Sequence, residues 1–207
     1  MLASASPARL AVLQSAGLSP TVQVSEVDEP AVQRAQEAAL GRAMTAEELA
    51  GVLAESKATD VATQLADTSH SWLVLGCDSV LLMDGQIYGK PGSADIARQR
   101  LRHMSGQAGD LITGHCLIAD DGQKVSAVRR TVVRIGTLSE QEIDAYVATG
   151  EPLHVAGSFT LDGIGGAFVD SIEGDPSNVI GVSLPTVRRL IAELGVDWFS
   201  LLAQPSG

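Results

Sequence analysis

Apolar and polar positions along this chain fall into strand-like and helix-like periods, and the breaks between them delimit its elements. The longest strand-like run is Leu73-Val74-Leu75-Gly76-Cys77, which continues through Asp78 to Val80-Leu81-Leu82-Met83. It meets Asp84-Gly85, then Gln86-Ile87-Tyr88 and Gly89-Lys90-Pro91. Asp-Gly between two such runs predicts a tight hairpin, because both central residues need positive φ. Asp78 therefore lies inside one strand and Lys90 just beyond its partner. A carboxylate embedded in an apolar strand is costly to bury without a partner, a cation or a catalytic task. On pattern alone Asp78 reads either as a hydrogen-bonded structural group or as a catalytic one.

The flanking segments follow in order. A helix is predicted from Pro7, capped by Ser6, with Leu10, Val12 and Leu13 inward and a stop at Gly17. Ser4, Ser6, the amides of that helix start and Arg9 form either an anion pocket or an ordinary capped helix. Only two residues precede Ala3, which leaves almost no strand to support this loop, and the native start is expected to lie upstream. Thr21 to Val27 alternate as a strand and deliver Asp28-Glu29-Pro30, which is either a solvated turn or a metal-facing edge. Ala31 to Thr68 reads as helix broken near Gly41 and Gly51, and Lys57 within it has the look of a surface residue. Ser93 caps a helix bearing Ile96, Ala97, Leu101 and Met104, with Gly106 beyond its end. Leu111 to Ala119 and Val125 to Ile135 make a second hairpin around Asp121-Gly122, and Ser139 with Glu142 is a capping-box match for a helix ending at Gly150. Phe168 to Ile172 is a short strand, Asn178 to Ser183 a candidate for another, and Pro185 opens a final amphipathic helix. This order predicts an α/β chain of mixed α+β type, with a mixed sheet flanked by helices and without regular Rossmann alternation.

Composition narrows the function. At 207 residues and 45% hydrophobic the chain suits one domain over 1–207, built as two lobes sharing a sheet. A net charge of −11 argues against a nucleic-acid or anionic-membrane binder, and 3% aromatic residues argue against a stacking platform for single strands. Any phosphate ligand would need a local cluster of Lys and Arg, with a divalent cation. Cys77 and Cys116 stand in apolar runs without metal-ligand spacing and read as reduced core thiols. No apolar stretch reaches the ~18 residues of a membrane span, so a cytoplasmic location is expected. Neither a Gly-x-Gly-x-x-Gly fingerprint nor a P-loop occurs, although Ala156 to Gly166 is glycine-dense.

Taken in order, several stretches resemble the Maf family, nucleoside triphosphate pyrophosphatases named after an inhibitor of septum formation. They are Leu2-Ala3-Ser4-Ala5-Ser6-Pro7 with Arg9, Glu26 to Glu29, Ser56-Lys57-Ala58, Leu75 to Ser79, Gly89-Lys90-Pro91, Met104-Ser105-Gly106, Thr113-Gly114, Tyr146-Val147 with Gly150-Glu151-Pro152, Ala156-Gly157, and Gly181 with Leu184-Pro185. Each piece is weak, but their number and order are specific. The resemblance implies two lobes of an elongated mixed sheet around a nucleotide cleft, similar to inosine triphosphatases. It implies hydrolysis between the α and β phosphates to a monophosphate and pyrophosphate, with magnesium, or manganese, as cofactor. On the same footing Asp78, Glu29 and Lys90 are the catalytic set and Asp78 with Glu29 the metal ligands. Ser4, Ser6, Arg9, Lys57, Lys90 and Asp162 are expected to bind substrate, and the protein to be a homodimer. Arg suits bidentate phosphate contact, whereas Lys neutralises as a point charge.

Three departures from the family pattern bear on function. Ala8 stands where relatives often carry a further arginine, so one phosphate contact is missing or supplied elsewhere. The segment Gly41 to Glu55 lengthens the interval before Lys57, as an insertion able to cover the cleft or meet a second subunit. Asp162 stands where members of the thymidine and uridine triphosphate type carry glutamine, and members of the 7-methylguanosine triphosphate type an acidic residue. A carboxylate can accept from the N1–H and amino group of guanine, which favours a modified purine, with dTTP and UTP the alternative. The rival from another class is a non-catalytic regulator of septum formation that binds a division protein. Retention of Asp78, Glu29, Lys57 and Lys90 together argues for the enzyme.

Overall fold

The computed structural model describes residues 1–66 and 70–202. Strands Leu73–Met83 (β1), Gln86–Tyr88 (β2), Ala108–Ala119 (β3), Lys124–Ile135 (β4) and Val169–Glu173 (β5) form one sheet in the order β2-β1-β3-β4-β5. The expected mixed sheet is corrected by this topology, because the sheet is antiparallel. Short turns join β1 to β2 and β3 to β4, and a hairpin can only be antiparallel. Among the described residues, parallel pairing appears as single bridges from Leu2 to Val22 and to Leu75. The β1–β2 turn has the geometry its sequence requires, with Asp84 at φ 49 and Gly85 at φ 74.

Helix Pro7–Ser15 (α1) is capped by Ser6 and buries Val12 and Leu13. Helix Glu29–Leu40 (α2) ends at Gly41, in the left-handed conformation at φ 66, as expected. Helix Ala46–Gln64 (α3) starts at a Thr45–Glu48 capping box and runs unbroken through Gly51, contrary to expectation. Burial of Leu49, Ala50, Leu53, Ala54, Ala58 and Val61 along one face outweighs the cost of one interior glycine, about 1 kcal/mol. Within Gly41 to Glu55, Met44, Ala46, Leu49, Ala50, Leu53 and Ala54 are buried, whereas Gly41, Arg42, Ala43 and Thr45 are exposed. The helix, expected to extend towards Thr68, ends at Gln64 with Leu65 as its cap, and residues 67–69 lie outside the described residues. Thr21 to Val27 is not a strand, since only Val22 pairs and Val22 and Val24 are 40% and 53% exposed.

Helices Ala94–Met104 (α4) and Glu140–Ala148 (α5) begin at Ser93 and at the Ser139–Glu142 capping box. Asn178 to Ser183 opens in helix Pro176–Ile180 (α6), where strand was expected. The reason is local: the Asp175 carboxylate accepts from the Ser177 amide at 2.9 Å, and Pro176 suits a first helical turn. Helix Leu184–Glu193 (α7) is capped by Ser183 and buries Val187, Leu190 and Ile191.

The chain divides into two compact units, Met1–Asp78 with Thr113–Arg129 and Gly181–Gly207, and Ser79–Ile112 with Arg130–Ile180. The first has a core of Ala3, Ala54, Ala58, Val61, Val74 and Cys116; the second is centred on Leu81, Met104, Leu111, Val133 and Phe159. Cys77 and Cys116 are buried free thiols; burial pushes Cys77 up to about 12 and raises Cys116 as well. The Met1 ammonium donates to the Leu73 carbonyl, and burial lowers its pKa. No described helix is long and apolar enough to cross a membrane.

Two glycines of the first unit should respond oppositely to alanine. A Cβ on Gly76 would stand 2.2 Å from the Ala54 carbonyl oxygen and 2.7 Å from the Ala58 nitrogen, both backbone atoms that cannot yield cheaply. At Gly51 the nearest atom is a Val128 methyl at 3.5 Å. We expect Gly76→Ala to lose roughly 3 kcal/mol in urea denaturation and Gly51→Ala to gain about 0.5–1 kcal/mol. An unchanged midpoint for Gly76→Ala would contradict the packing described.

Candidate active site

The site in the first unit starts from the contact that Gly76 allows. Because residues i and i+2 share a strand face, Gly76 and Asp78 point the same way from β1. Gly76 brings the strand backbone against Ala54 and Ala58 of α3, and Lys57 lies between those two alanines. Its Nζ donates to Asp78 Oδ1 at 2.6 Å. Asp78 and Lys57 are each only 8% exposed. The lysine read from sequence as a surface residue is therefore a buried ion-pair partner.

The third member comes from the start of α2. The Asp28 side chain accepts from the Ala31 amide at 3.0 Å, which fixes the first turn and presents Glu29. Glu29 Oε1 lies 2.6 Å from the same Lys57 Nζ, with its side chain 47% exposed. One ammonium is thus shared by a buried and a half-exposed carboxylate. Burial pushes the Asp78 carboxyl above its ordinary range, against the opposing pull of Lys57 and Arg9, and the nearby Glu29 charge adds to the rise. A carboxylate so placed holds a proton more readily than a solvated aspartate, which suits a general base.

Arg9 occupies the first turn of α1. Its Nε donates to the Gly181 carbonyl at 2.8 Å, and its Nη1 to the Cys77 carbonyl at 2.8 Å and to Ser4 Oγ at 3.1 Å. Ser4 Oγ also accepts from the Ser6 amide at 3.2 Å, and Ser6 Oγ from the Arg9 amide at 3.4 Å. The Ser4 hydroxyl, accepting twice, retains its proton as the group it can donate. The Cys77 carbonyl immediately precedes Asp78 in β1, so Arg9 is fixed on the backbone of the strand that carries the carboxylate. A cavity of about 600 Å³ in this unit, lined by Leu13, Trp72, Leu117, Val187 and Ile191 among others, includes none of these groups.

Lys90 and Asp162 belong to the second unit. Lys90 is exposed just after β2, and Asp162 is exposed in the bend between Phe159 and the short 3-10 turn Ile164–Phe168. From sequence Glu151 figured only as part of a motif, whereas in the structure this carboxylate, at the start of the short 3-10 turn Glu151–His154, binds that loop. Its Oε1 accepts from Tyr146 Oη at 2.9 Å, Thr160 Oγ1 at 2.6 Å and the Gly165 amide at 2.9 Å, and Oε2 from the Ile164 amide at 2.9 Å. Partial burial pushes the Glu151 carboxyl up, but the bonds from Thr160, Gly165, Ile164 and Tyr146 outweigh it and the net shift is downward. A depressed carboxyl contributes its stability above the unfolded pKa and loses it as pH falls through the lower folded value. The Gly181 and Cys77 carbonyls were likewise missed, because a backbone acceptor leaves no mark in residue type.

Hard divalent cations of the magnesium class take oxygen ligands and need only one or two protein carboxylates, the remainder being water and substrate phosphate. Asp78 and Glu29, converging on one point of positive charge, have that donor chemistry. Among the described residues no group of three or more His, Cys, Asp or Glu forms a closed cage.

The sequence profile described as Maf-like protein matches residues 1–194. A nucleoside triphosphate pyrophosphatase of Streptomyces coelicolor is 54% identical over 204 residues, covering 98% of this chain and 94% of that protein. One from Rhodococcus erythropolis is 52% identical over 202 residues, covering 95% and 93%. A solved nucleoside-triphosphatase / dITP/XTP pyrophosphatase of Mycobacterium abscessus aligns at 17% identity and TM-score 0.32 over 65% of this chain and 71% of its own, too distant to bear on the fold.

Removing Lys57 should expose the cost of the charges it pairs. We expect Lys57→Met to lose about 3 kcal/mol at neutral pH, with Asp78→Asn in the same chain restoring part of it. Strict additivity of the two changes in denaturant titrations would show that the pair is not coupled.

Proposed function

The chain belongs to the family described as Maf-like protein, and from that premise we infer that it hydrolyses a nucleoside triphosphate to the monophosphate and pyrophosphate. It is a nucleoside triphosphate pyrophosphatase, a hydrolase. The observation that carries the reading is the buried Asp78–Lys57 pair, joined by Glu29 and set beside Arg9.

In the proposed reaction Asp78 takes a proton from water as the water oxygen bonds the α-phosphorus. The bond from that phosphorus to the bridging oxygen breaks, and pyrophosphate leaves with the electron pair. Arg9 and Lys57 supply positive charge to the phosphates, with the Ser4 and Ser6 hydroxyls beside them. Asp78 and Glu29 would hold a magnesium ion, which would neutralise charge developing on the phosphate oxygens. Lys90, exposed in the second unit, is assigned to the phosphates by the family resemblance alone. Asp162 is assigned to the base, where a carboxylate complements the N1–H and amino group of a guanine and favours a 7-methylguanosine triphosphate-like substrate over dTTP or UTP. The homodimer likewise rests on the family resemblance.

The test is turnover of dTTP, UTP, CTP and 7-methyl-GTP with magnesium, resolving monophosphate, pyrophosphate and phosphate by chromatography. We expect pyrophosphate as product, a loss of roughly 10²-fold or more in kcat for Asp78→Asn, and no turnover after chelation of the metal. Phosphate as the product, or wild-type turnover by Asp78→Asn, would refute the mechanism. Turnover of dTTP and UTP alone would refute the base assignment.

A further inference from the structure

Glu151 takes part in no step proposed above, yet four donors are spent on it. Two of them, Thr160 Oγ1 and the Ile164 amide, come from positions two before and two after Asp162. The three intervening residues therefore form a short arch with both feet tied to one carboxylate, and Asp162 is at its crown. The Gly165 amide adds a second bond on the far foot, and Tyr146 Oη steadies the carboxylate from α5. Tyr146 is itself only 2% exposed, with its ring edge-on to Phe168 at 5.2 Å, so this support is rigid. The arch is drawn in tightly. A Cβ on Gly163 would stand 2.5 Å from Glu151 Oε2, and one on Gly165 would stand 2.3 Å from Tyr146 Oη. Neither glycine has positive φ among the values of this chain, so the requirement is close approach rather than backbone conformation.

We propose that Glu151 is the positioning residue of the base-selecting loop, setting the place of Asp162 by holding Thr160, Ile164 and Gly165 on one carboxylate. This rests on the reading of Asp162 as the residue that selects the base. A side chain that discriminates through hydrogen bonds does so only when its orientation is fixed before substrate arrives. Exposed and mid-loop, Asp162 obtains that fixity from Glu151. A glutamine at 151 has the same size but brings an amide NH₂ in place of one oxygen. That NH₂ must face a backbone N–H, of Ile164 or of Gly165, so one foot of the arch is released. A loosened arch costs selectivity by weakening binding of the favoured base, and it leaves the phosphate chemistry in place.

The experiment compares kcat and KM for 7-methyl-GTP and UTP in the wild type, Glu151→Gln, Asp162→Asn and the double variant, with amide exchange of Ile164 and Gly165 followed in parallel. Glu151→Gln should speed exchange at those amides. It should reduce the selectivity ratio about tenfold through KM, with kcat for each substrate within about twofold of wild type. The double variant should discriminate no worse than Asp162→Asn alone, because both changes remove the same function. A uniform fall in kcat with the ratio unchanged, or unaltered amide exchange, would overturn the positioning role while leaving Asp162 as the selecting residue. An unchanged ratio in Asp162→Asn would overturn the base assignment itself, and the proposal with it. Should Glu151→Gln not fold, Thr160→Val removes a single bond to the same carboxylate and should shift exchange and ratio in the same direction by less.

Discussion

A single ammonium group fixes the geometry of the first unit. Lys57 is buried, and its two carboxylate partners come from segments far apart in sequence. Asp78 approaches from the middle of β1, and Glu29 from the first turn of α2. The start of α2, the middle of α3 and the middle of β1 are thereby held to one point. Buried ion pairs of this kind add little net stability, because desolvation consumes most of the attraction. What they provide is position. Arg9 is fixed differently, through the neutral carbonyls of Gly181 and Cys77, so Lys57 and Arg9 are placed by different means.

How much of this was legible depends on whether the controlling interaction is local. Ser6, Ser93, Ser139 and the Asp84-Gly85 turn act within four residues of themselves, and their elements were read correctly. Thr21 to Val27 has the alternation of a strand, but only Leu2 is there to pair with it at Val22. Gly51 is a helix breaker by propensity, overruled by the burial of its neighbours. In the Asn178 region an apolar run resembled a strand until Asp175 and Pro176 started a helix just before it.

Family resemblance named Ser4, Arg9, Glu29, Lys57 and Asp78, and the structure brings them together within the first unit, whereas residue type alone left Lys57 at the surface and was a poor guide to what holds these groups. Their supports are a missing side chain at Gly76, two carbonyls and a chain of hydroxyls, none of which has a distinctive signature. In the second unit the same holds for Glu151, whose four partners were spread from Tyr146 to Gly165. Family likeness over nearly the whole chain supplied the reaction. The base remained outside what that likeness names.

Cys77 separates Asp78 from Gly76, and its burial has a chemical consequence for the strand that carries the site. With burial pushing its thiol up to about 12, the sulfur stays protonated at neutral pH and is shielded from solvent. Electrophiles and oxidants that modify cysteine therefore have no purchase on the folded chain at the position adjoining its principal carboxylate. Modification there must await an opening of β1, so the rate at which a small alkylating reagent consumes Cys77 is an intrinsic clock for how often this strand leaves its place.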